Sequence, residues 1–264
     1  LTVVDSTASI ADTNITITGL TNGTLYYLQV SAVEVSGSES RSVAVGALPH
    51  DIDGTQSLSF DGVDDWVSTG LSRDPSIGFT VHCWFKFEGD IIIDDFSAII
   101  GGAVNDPPFT GTSSDFFIGK ANGSGAIAVQ DGESVVDFGS GTDAFDGRWH
   151  AISYTHDTEN VGSLYLDGVL LNSGSFSGST NPIVIGLEVD GTEAYFNGKI
   201  DETAIWNKAL TASEIASLYN YGIPLLARSN SGSYTSAANL KGYWRFNEST
   251  GTAAYDFSGN GNHG

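Results

Sequence analysis

The sequence predicts an all-β protein, and three observations carry that reading. Short runs in which apolar and polar residues alternate recur from one end of the chain to the other. Glycine, aspartate, asparagine and serine separate those runs, and apolar residues at helical spacing are nearly absent. The clearest run, FTVHCWFKF at 79–87, sets Phe79, Val81, Cys83, Phe85 and Phe87 on one face of a strand and Thr80, His82, Trp84 and Lys86 on the other. The odd-numbered set is the expected sandwich core. SLYLDGVLL reads as a hairpin, because Asp167-Gly168 suits a two-residue turn in which glycine takes a positive φ without steric cost. Further strands are expected at 26–33, 57–60, 96–100, 115–119, 125–129, 148–156, 182–186 and 198–206.

One helix interrupts the pattern. LTASEIASLYNYG places Thr211 and Glu214 at the spacing of a capping box and puts Ile215, Leu218 and Tyr219 on one face. Gly222 is its expected left-handed stop, and the helix is expected to cap the edge of the sandwich.

Composition narrows the function classes. With 32 acidic against 10 basic residues the formal charge is -22, so no cationic surface is available for a phosphate backbone and a nucleic-acid partner is excluded. No run of 18 apolar residues offers a membrane span. The single cysteine, Cys83, rules out an internal disulfide and a cysteine metal cluster. A carboxylate surplus of this size suits an extracellular medium, where salt screens it and divalent cations neutralise part of it. The start at Leu1 and the absence of methionine point to a longer chain from which this one has been cut.

The strand pattern breaks at GALPHDIDG, residues 46–54, which divides the chain into residues 1–48 and 49–264. In the first part, ITGLTNGTLYYLQVSAV resembles the second half of a fibronectin type III domain, an immunoglobulin-like sandwich. Leu20, Thr24, Tyr26, Val30 and Ala32 fall at its characteristic places, Tyr26 as the tyrosine corner, with Asn22 where proline is usual.

In the second part, SLSFDGVDDWVSTG, FTVHCWFKF, DGRWHAISYTHD, GSLYLDGVLL, NGKIDETAIWNKALTASEIASLYN and GYWRFNESTGTAAYDFSGNGNHG together resemble the laminin-G-like, concanavalin A-like jelly-roll family. The resemblance implies an antiparallel two-sheet jelly-roll sandwich with one short helix. That family hosts lectins, adhesion modules, carbohydrate-binding modules and some glycanases, so the fold alone does not settle function. One departure stands out: the segment at 241–264 resembles the opening of such a module, yet here it follows the helix. It completes this sandwich, is donated to a neighbouring protomer, or begins a following module.

Several residues are candidates for chemistry. Asp256, Asn260 and Asn262 offer side-chain oxygens on a tight glycine-rich loop, a hard donor set that suits Ca²⁺. The resemblance implies a calcium on the convex side and carries its late-strand aspartate onto Asp201, with Asp61 of FDGVDD as a further ligand. The bland alternative is that these residues form Asx turns and pair with backbone amides. EVDGTE at 188–193 matches the ExDxxE spacing of the family-16-type β-glucanases, in which two carboxylates on one strand face flank the glycosidic bond. Here the match falls in a variable turn, so Glu188 and Glu193 are expected to be solvated loop carboxylates rather than catalysts. His150 and His156 share one strand face in a packing role. Trp149, Trp206 and Trp244 align with structural positions; Trp66 and Trp84 are left open, and Trp84, opposite the core residues of its strand, is named as the glycan-stacking candidate.

These readings converge on a non-catalytic adhesion or recognition module of a secreted or particle-surface multidomain protein. Its partners would be a glycan or protein surface and neighbouring modules or protomers, with calcium stabilising the sandwich. The alternative is a filament, fibre or decoration subunit of a bacterial surface or virion. A glycoside hydrolase of the same fold ranks third.

Overall fold

The computed structural model describes residues 26–28, 31–33, 39–41, 45–47, 56–90, 96–102, 116–121, 126–132, 134–137, 143–178, 180–189, 193–222, 224–248 and 250–264. The chain divides into two compact units, Leu1–Asp51 and Ile52–Gly264. In the first unit, β1 (Tyr26–Leu28) pairs antiparallel with β4 (Val45–Ala47), and β2 (Ser31–Val33) pairs with β3 (Glu39–Arg41). Leu20, Asn22, Thr24 and Val30, like the side chain of Tyr26, lie outside the described residues.

The second unit is a jelly-roll sandwich of two antiparallel sheets. Its strands are β5 (Leu58–Asp61), β6 (Val67–Ser72), β7 (Phe79–Phe87), β8 (Ser97–Gly102), β9 (Phe116–Lys120), β10 (Ile127–Asp131) and β11 (Ser134–Asp137). They continue with β12 (Trp149–His156), β13 (Val161–Leu166), β14 (Val169–Ser175), β15 (Pro182–Ile185), β16 (Leu187–Val189), β17 (Glu193–Tyr195), β18 (Asn197–Trp206) and β19 (Leu240–Trp244). One sheet runs β11-β10-β9-β8-β15-β6; the other runs β14-β13-β12-β7-β18-β19, with β5 also on β18. The first half of β18 pairs with β5 and its second half with β19, while β7 occupies its opposite edge. The segment that begins at β19 therefore joins the sheet of its own chain.

The core lies between the sheets, and alternation along each strand fills it. Phe79, Val81, Cys83, Phe85 and Phe87 all enter it from β7, against Ile99, Phe116, Ile118, Ile127 and Val129 of the other sheet. A fully buried side chain of this size contributes about 2 to 3 kcal/mol from desolvation, so this layer dominates the stability of the sandwich. The β13–β14 hairpin turns at Asp167 and Gly168, with φ of 50° and 76°, as a primed two-residue turn demands.

The outer face of the larger sheet is also covered. Helix α1 (Ala212–Tyr219) and the chain that follows it bury Trp206, Leu210, Ile215, Leu218, Tyr234, Leu240 and Tyr243 in a second apolar layer. Thr211 caps the helix reciprocally with Glu214. The helix stops at Asn220, whose φ of 45° and ψ of 49° are left-handed, two residues before the expected Gly222. Asparagine tolerates that region because its short polar side chain bonds locally. The helix runs from the β13–β14 turn, where a Cβ on Gly168 would meet Tyr219 and Ala216 at 3.1 and 3.3 Å, over the face of the sheet, where Tyr219 stacks on Trp84 of β7.

Candidate functional site

The tail YDFSGNGNHG is held by hydrogen bonds that converge on one carboxylate. Asp256 Oδ1 accepts from the backbone N–H groups of Tyr243 (2.9 Å) and Ser258 (2.8 Å). Its Oδ2 accepts from the Asn262 N–H (2.9 Å) and the Ser258 hydroxyl (2.8 Å). Asn260 Nδ2 donates to the carbonyls of Leu240 and Lys241, and Asn262 Nδ2 donates to Lys241. Gly259 and Gly261 supply the positive φ, 94° and 80°, that lets so short a loop fold back on β19. Burial pushes the Asp256 carboxyl up, but the Ser258, Asn262 and Tyr243 donors outweigh it and hold the group below the usual carboxylate range.

This donor set does not fit a cation. Both carboxylate oxygens of Asp256 already face two donors each, and the asparagine amides turn N–H groups, not oxygens, toward the Leu240 and Lys241 carbonyls. The five residues expected as ligands also fall in three places. Asp201 is 2% exposed within β18 and accepts from the Glu202 N–H at 2.7 Å. Asp61 stands opposite Asn197, four positions along β18 from Asp201, which is about 13 Å at strand rise. Asp256 lies beside Trp244 on the far side of β19.

Asp61 instead belongs to a different cluster. It sits with Asp64 and Asp65 in the turn between β5 and β6, their carboxylate oxygens within 4.8 Å of one another. Asp61 and Asp64 are exposed and Asp65 is half-buried. Within the turn, Asp61 Oδ1 accepts from the Val63 N–H and Asp65 Oδ2 from the Asp61 N–H, which fixes the loop. Among the described residues no other three acidic, histidine or cysteine side chains meet in this way.

The same turn forms one wall of a cleft of about 390 Å³. Phe60, Asp65, Trp66 and Ser68 line that side; Phe246, Glu248, Thr252 and Ala254 line the other. The cleft exists because the tail, anchored by Asp256, runs back alongside β6, where a Cβ on Gly264 would meet Val67 at 2.4 Å. Phe246 holds a φ of 47°, a conformation aromatic residues rarely adopt and one that concentrates at functional positions. Trp66 is half-buried, so part of its indole packs on Val184 and Leu187 and part faces outward.

The other candidates take structural positions. Trp84 is not an exposed platform: it is 2% exposed, and its ring stacks under Tyr219 with centroids 5.6 Å apart. The helix supplies that cover, which alternation within one strand cannot reveal. Glu188 and Glu193 do not lie along one strand, because they belong to the antiparallel strands β16 and β17, which pair Val189 with Glu193. Glu188 is buried at 4% exposure rather than solvated. The side chain of Glu193 and all of Asp190 lie outside the described residues.

Two histidines form polar links. His150 bridges Asp167 (2.8 Å) and Asp146 (3.1 Å); burial lowers its pKa, and the two carboxylates more than reverse that. His156 is fully buried in a cluster that joins the sheets: Asp131 receives hydrogen bonds from Arg73 (2.9 Å) and Tyr154 (2.9 Å) and contacts His156 Nδ1 (2.7 Å). The Arg73 guanidinium also lies 3.9 Å from the centre of the Phe116 ring. Sequence spacing carries no signal for this cluster, whose members are up to 83 positions apart.

Known proteins bear on this architecture. The family described as the concanavalin A-like lectin/glucanases superfamily matches residues 61–216. Among solved structures, a Bacteroides ovatus protein thought to bind carbohydrate is 15% identical with a TM-score of 0.56, covering 92% of this chain and 68% of its own. A native heptameric SAP-like pentraxin from Limulus polyphemus is 12% identical with a TM-score of 0.47, covering 69% of this chain and 88% of its own. The CBM40 module of a Ruminococcus gnavus IT-sialidase is 14% identical with a TM-score of 0.44, over 62% of this chain and 97% of its own. At such identities the likeness is one of fold. No curated protein matches the sequence.

Proposed function

The chain belongs to the concanavalin A-like lectin/glucanases superfamily, and from that premise we propose that it is a non-catalytic glycan-recognition module. The observation that carries this reading is the cleft between the β5–β6 turn and the tail, with the half-buried Trp66 in its wall. Aromatic faces pack against the apolar faces of pyranose rings, and carboxylates and hydroxyls beside them fix orientation. Ser57, Ser59, Asp65, Ser68, Glu248 and Thr252 supply those polar groups. The Bacteroides ovatus protein, with the same fold, is thought to bind carbohydrate. A hydrolytic role has less support, because the ExDxxE carboxylates are split across the β16–β17 reversal.

In this reading the module is extracellular, follows a fibronectin-type spacer in residues 1–48, and serves adhesion to a glycan-bearing surface. Calcium, where it binds, is held by Asp61, Asp64 and Asp65; it would supply charge neutralisation and stiffen the turn that walls the cleft. The test is a glycan array run on wild type, Trp66→Ala and Thr252→Trp. Thr252 is exposed, so its enlargement blocks the cleft without disturbing the core. Array signals lost in both variants support the reading. Signals retained in both place binding elsewhere, and an array without signal together with assembly seen by light scattering favours the filament or fibre role.

A further inference from the structure

The chemistry of the cleft selects among glycans. We infer that it takes uncharged pyranosides and turns away carboxylated and sulfated ones, an inference that rests on the glycan-recognition reading above.

Among the described residues, two carboxylates, Asp65 and Glu248, line the cleft, and no lysine, arginine or histidine does. Lys199 stands opposite Ser59 in the neighbouring strand but is not part of the lining. Each lining carboxylate is half engaged by the protein. Asp65 Oδ2 accepts from the Asp61 N–H at 3.0 Å, and Glu248 Oε1 accepts from the Tyr255 N–H at 2.9 Å. No described residue engages Asp65 Oδ1 or Glu248 Oε2, so each offers an acceptor to a sugar hydroxyl. An O–H to carboxylate hydrogen bond is charge-assisted and about twice as strong as a neutral one.

An acidic sugar meets the same two groups with the opposite result. Its carboxylate or sulfate accepts hydrogen bonds and carries negative charge, whereas the cleft presents negative charge and, among the described residues, only uncharged donors such as the serine and threonine hydroxyls. In the calcium-free chain Asp61 and Asp64, in the same turn as Asp65, add to that field, and the chain as a whole carries -22. Concave walls of low dielectric concentrate such a field rather than dissipate it. Recognition of the anionic sugar would need an arginine or a cluster of backbone N–H groups aimed into the cleft. Here the nearby Arg245 is held instead by Glu202, at 3.0 Å.

The experiment measures binding of the intact chain, with calcium chelated, to sugar pairs that differ in one charge, such as lactose with 3′-sialyllactose and cellobiose with its uronic counterpart. Wild type is expected to bind the neutral member at least about tenfold more tightly at low salt, with the gap narrowing as salt rises. Glu248→Gln and Asp65→Asn keep size and one acceptor oxygen, and either should narrow the gap by weakening the neutral sugar and admitting the charged one. Equal or tighter binding of the charged member, or a gap unchanged in both variants, overturns the inference while leaving glycan recognition intact. Binding of neither member of any pair overturns both.

Discussion

Asp256 and Asp61 both sit in glycine-interrupted turns rich in Asp and Asn, and the two turns use their carboxylates in different ways. Around Asp256, three backbone N–H groups and one hydroxyl converge on two oxygens, so the carboxylate acts as the hub that folds the tail onto β19. Around Asp61, two backbone N–H groups are shared between two carboxylates, and a third, Asp64, is close by. One turn engages its acid with its own backbone; the other leaves acceptor oxygens that no described donor engages. Residue types that suit a calcium loop are therefore equally the residue types of a self-fastened loop, and the count of converging donors tells them apart.

The largest expected effect breaks the first turn. Asp256→Ala removes four hydrogen bonds and leaves one buried and two partly buried N–H groups without an acceptor, at a cost of about 3 kcal/mol and a fall in Tm on the order of 6 to 12 °C. A melting curve that moves by less than a degree would mean the tail is anchored elsewhere. Acid should have an intermediate effect on the same contrast. Asp256 and Glu214 are both depressed in the folded state. Burial opposes ionisation of Glu214, but Ser236, Thr211 and Thr235 donors and Lys208 bring it to about 2. Their stabilisation is complete above the unfolded carboxylate range near 4.5 and is lost as pH falls toward 2. Melting temperature followed across that window should fall steadily in wild type and more shallowly in Glu214→Gln; parallel curves would contradict the assignment.

The smallest effect belongs to the second turn. Asp61→Asn with Asp64→Asn should change stability by less than about 1 kcal/mol, because these charges are exposed and screened. Added calcium should raise the wild-type Tm by a few degrees and leave the double variant unmoved. A calcium shift that survives in the double variant but vanishes in Asp256→Asn would invert the comparison and return the ion to the tail.

Much of the sandwich is legible in the sequence because alternation and turn chemistry act locally. The β7 alternation sorts the core residues of that strand, Asp167-Gly168 marks its hairpin, and Thr211 with Glu214 marks the helix start. Within the sandwich, strands β6, β11, β16, β17 and β19 are missed, β16 and β17 because a short reversal within EVDGTE reads as a loop. The site is legible only in pieces. Asp61 is identified, but its partners Asp64 and Asp65 and the neighbouring Trp66 are passed over in favour of residues that serve the tail or lie in the sheet.

What the sequence determined by itself is the all-β class, the core of β7, the helix cap and a strongly acidic character, since each follows from short-range sterics or from summed charge. Only the tertiary structure decided the rest. Trp84 is buried because a helix more than 120 positions later crosses its face. Arg73, Asp131, Tyr154 and His156 meet because two sheets stack. The cleft forms because β19 pairs with β18 and brings Phe246 and Glu248 back to Trp66. Each is a contact between segments far apart in the chain, and the physical reason is the same: pairing and packing choose those neighbours, and no local spacing encodes them.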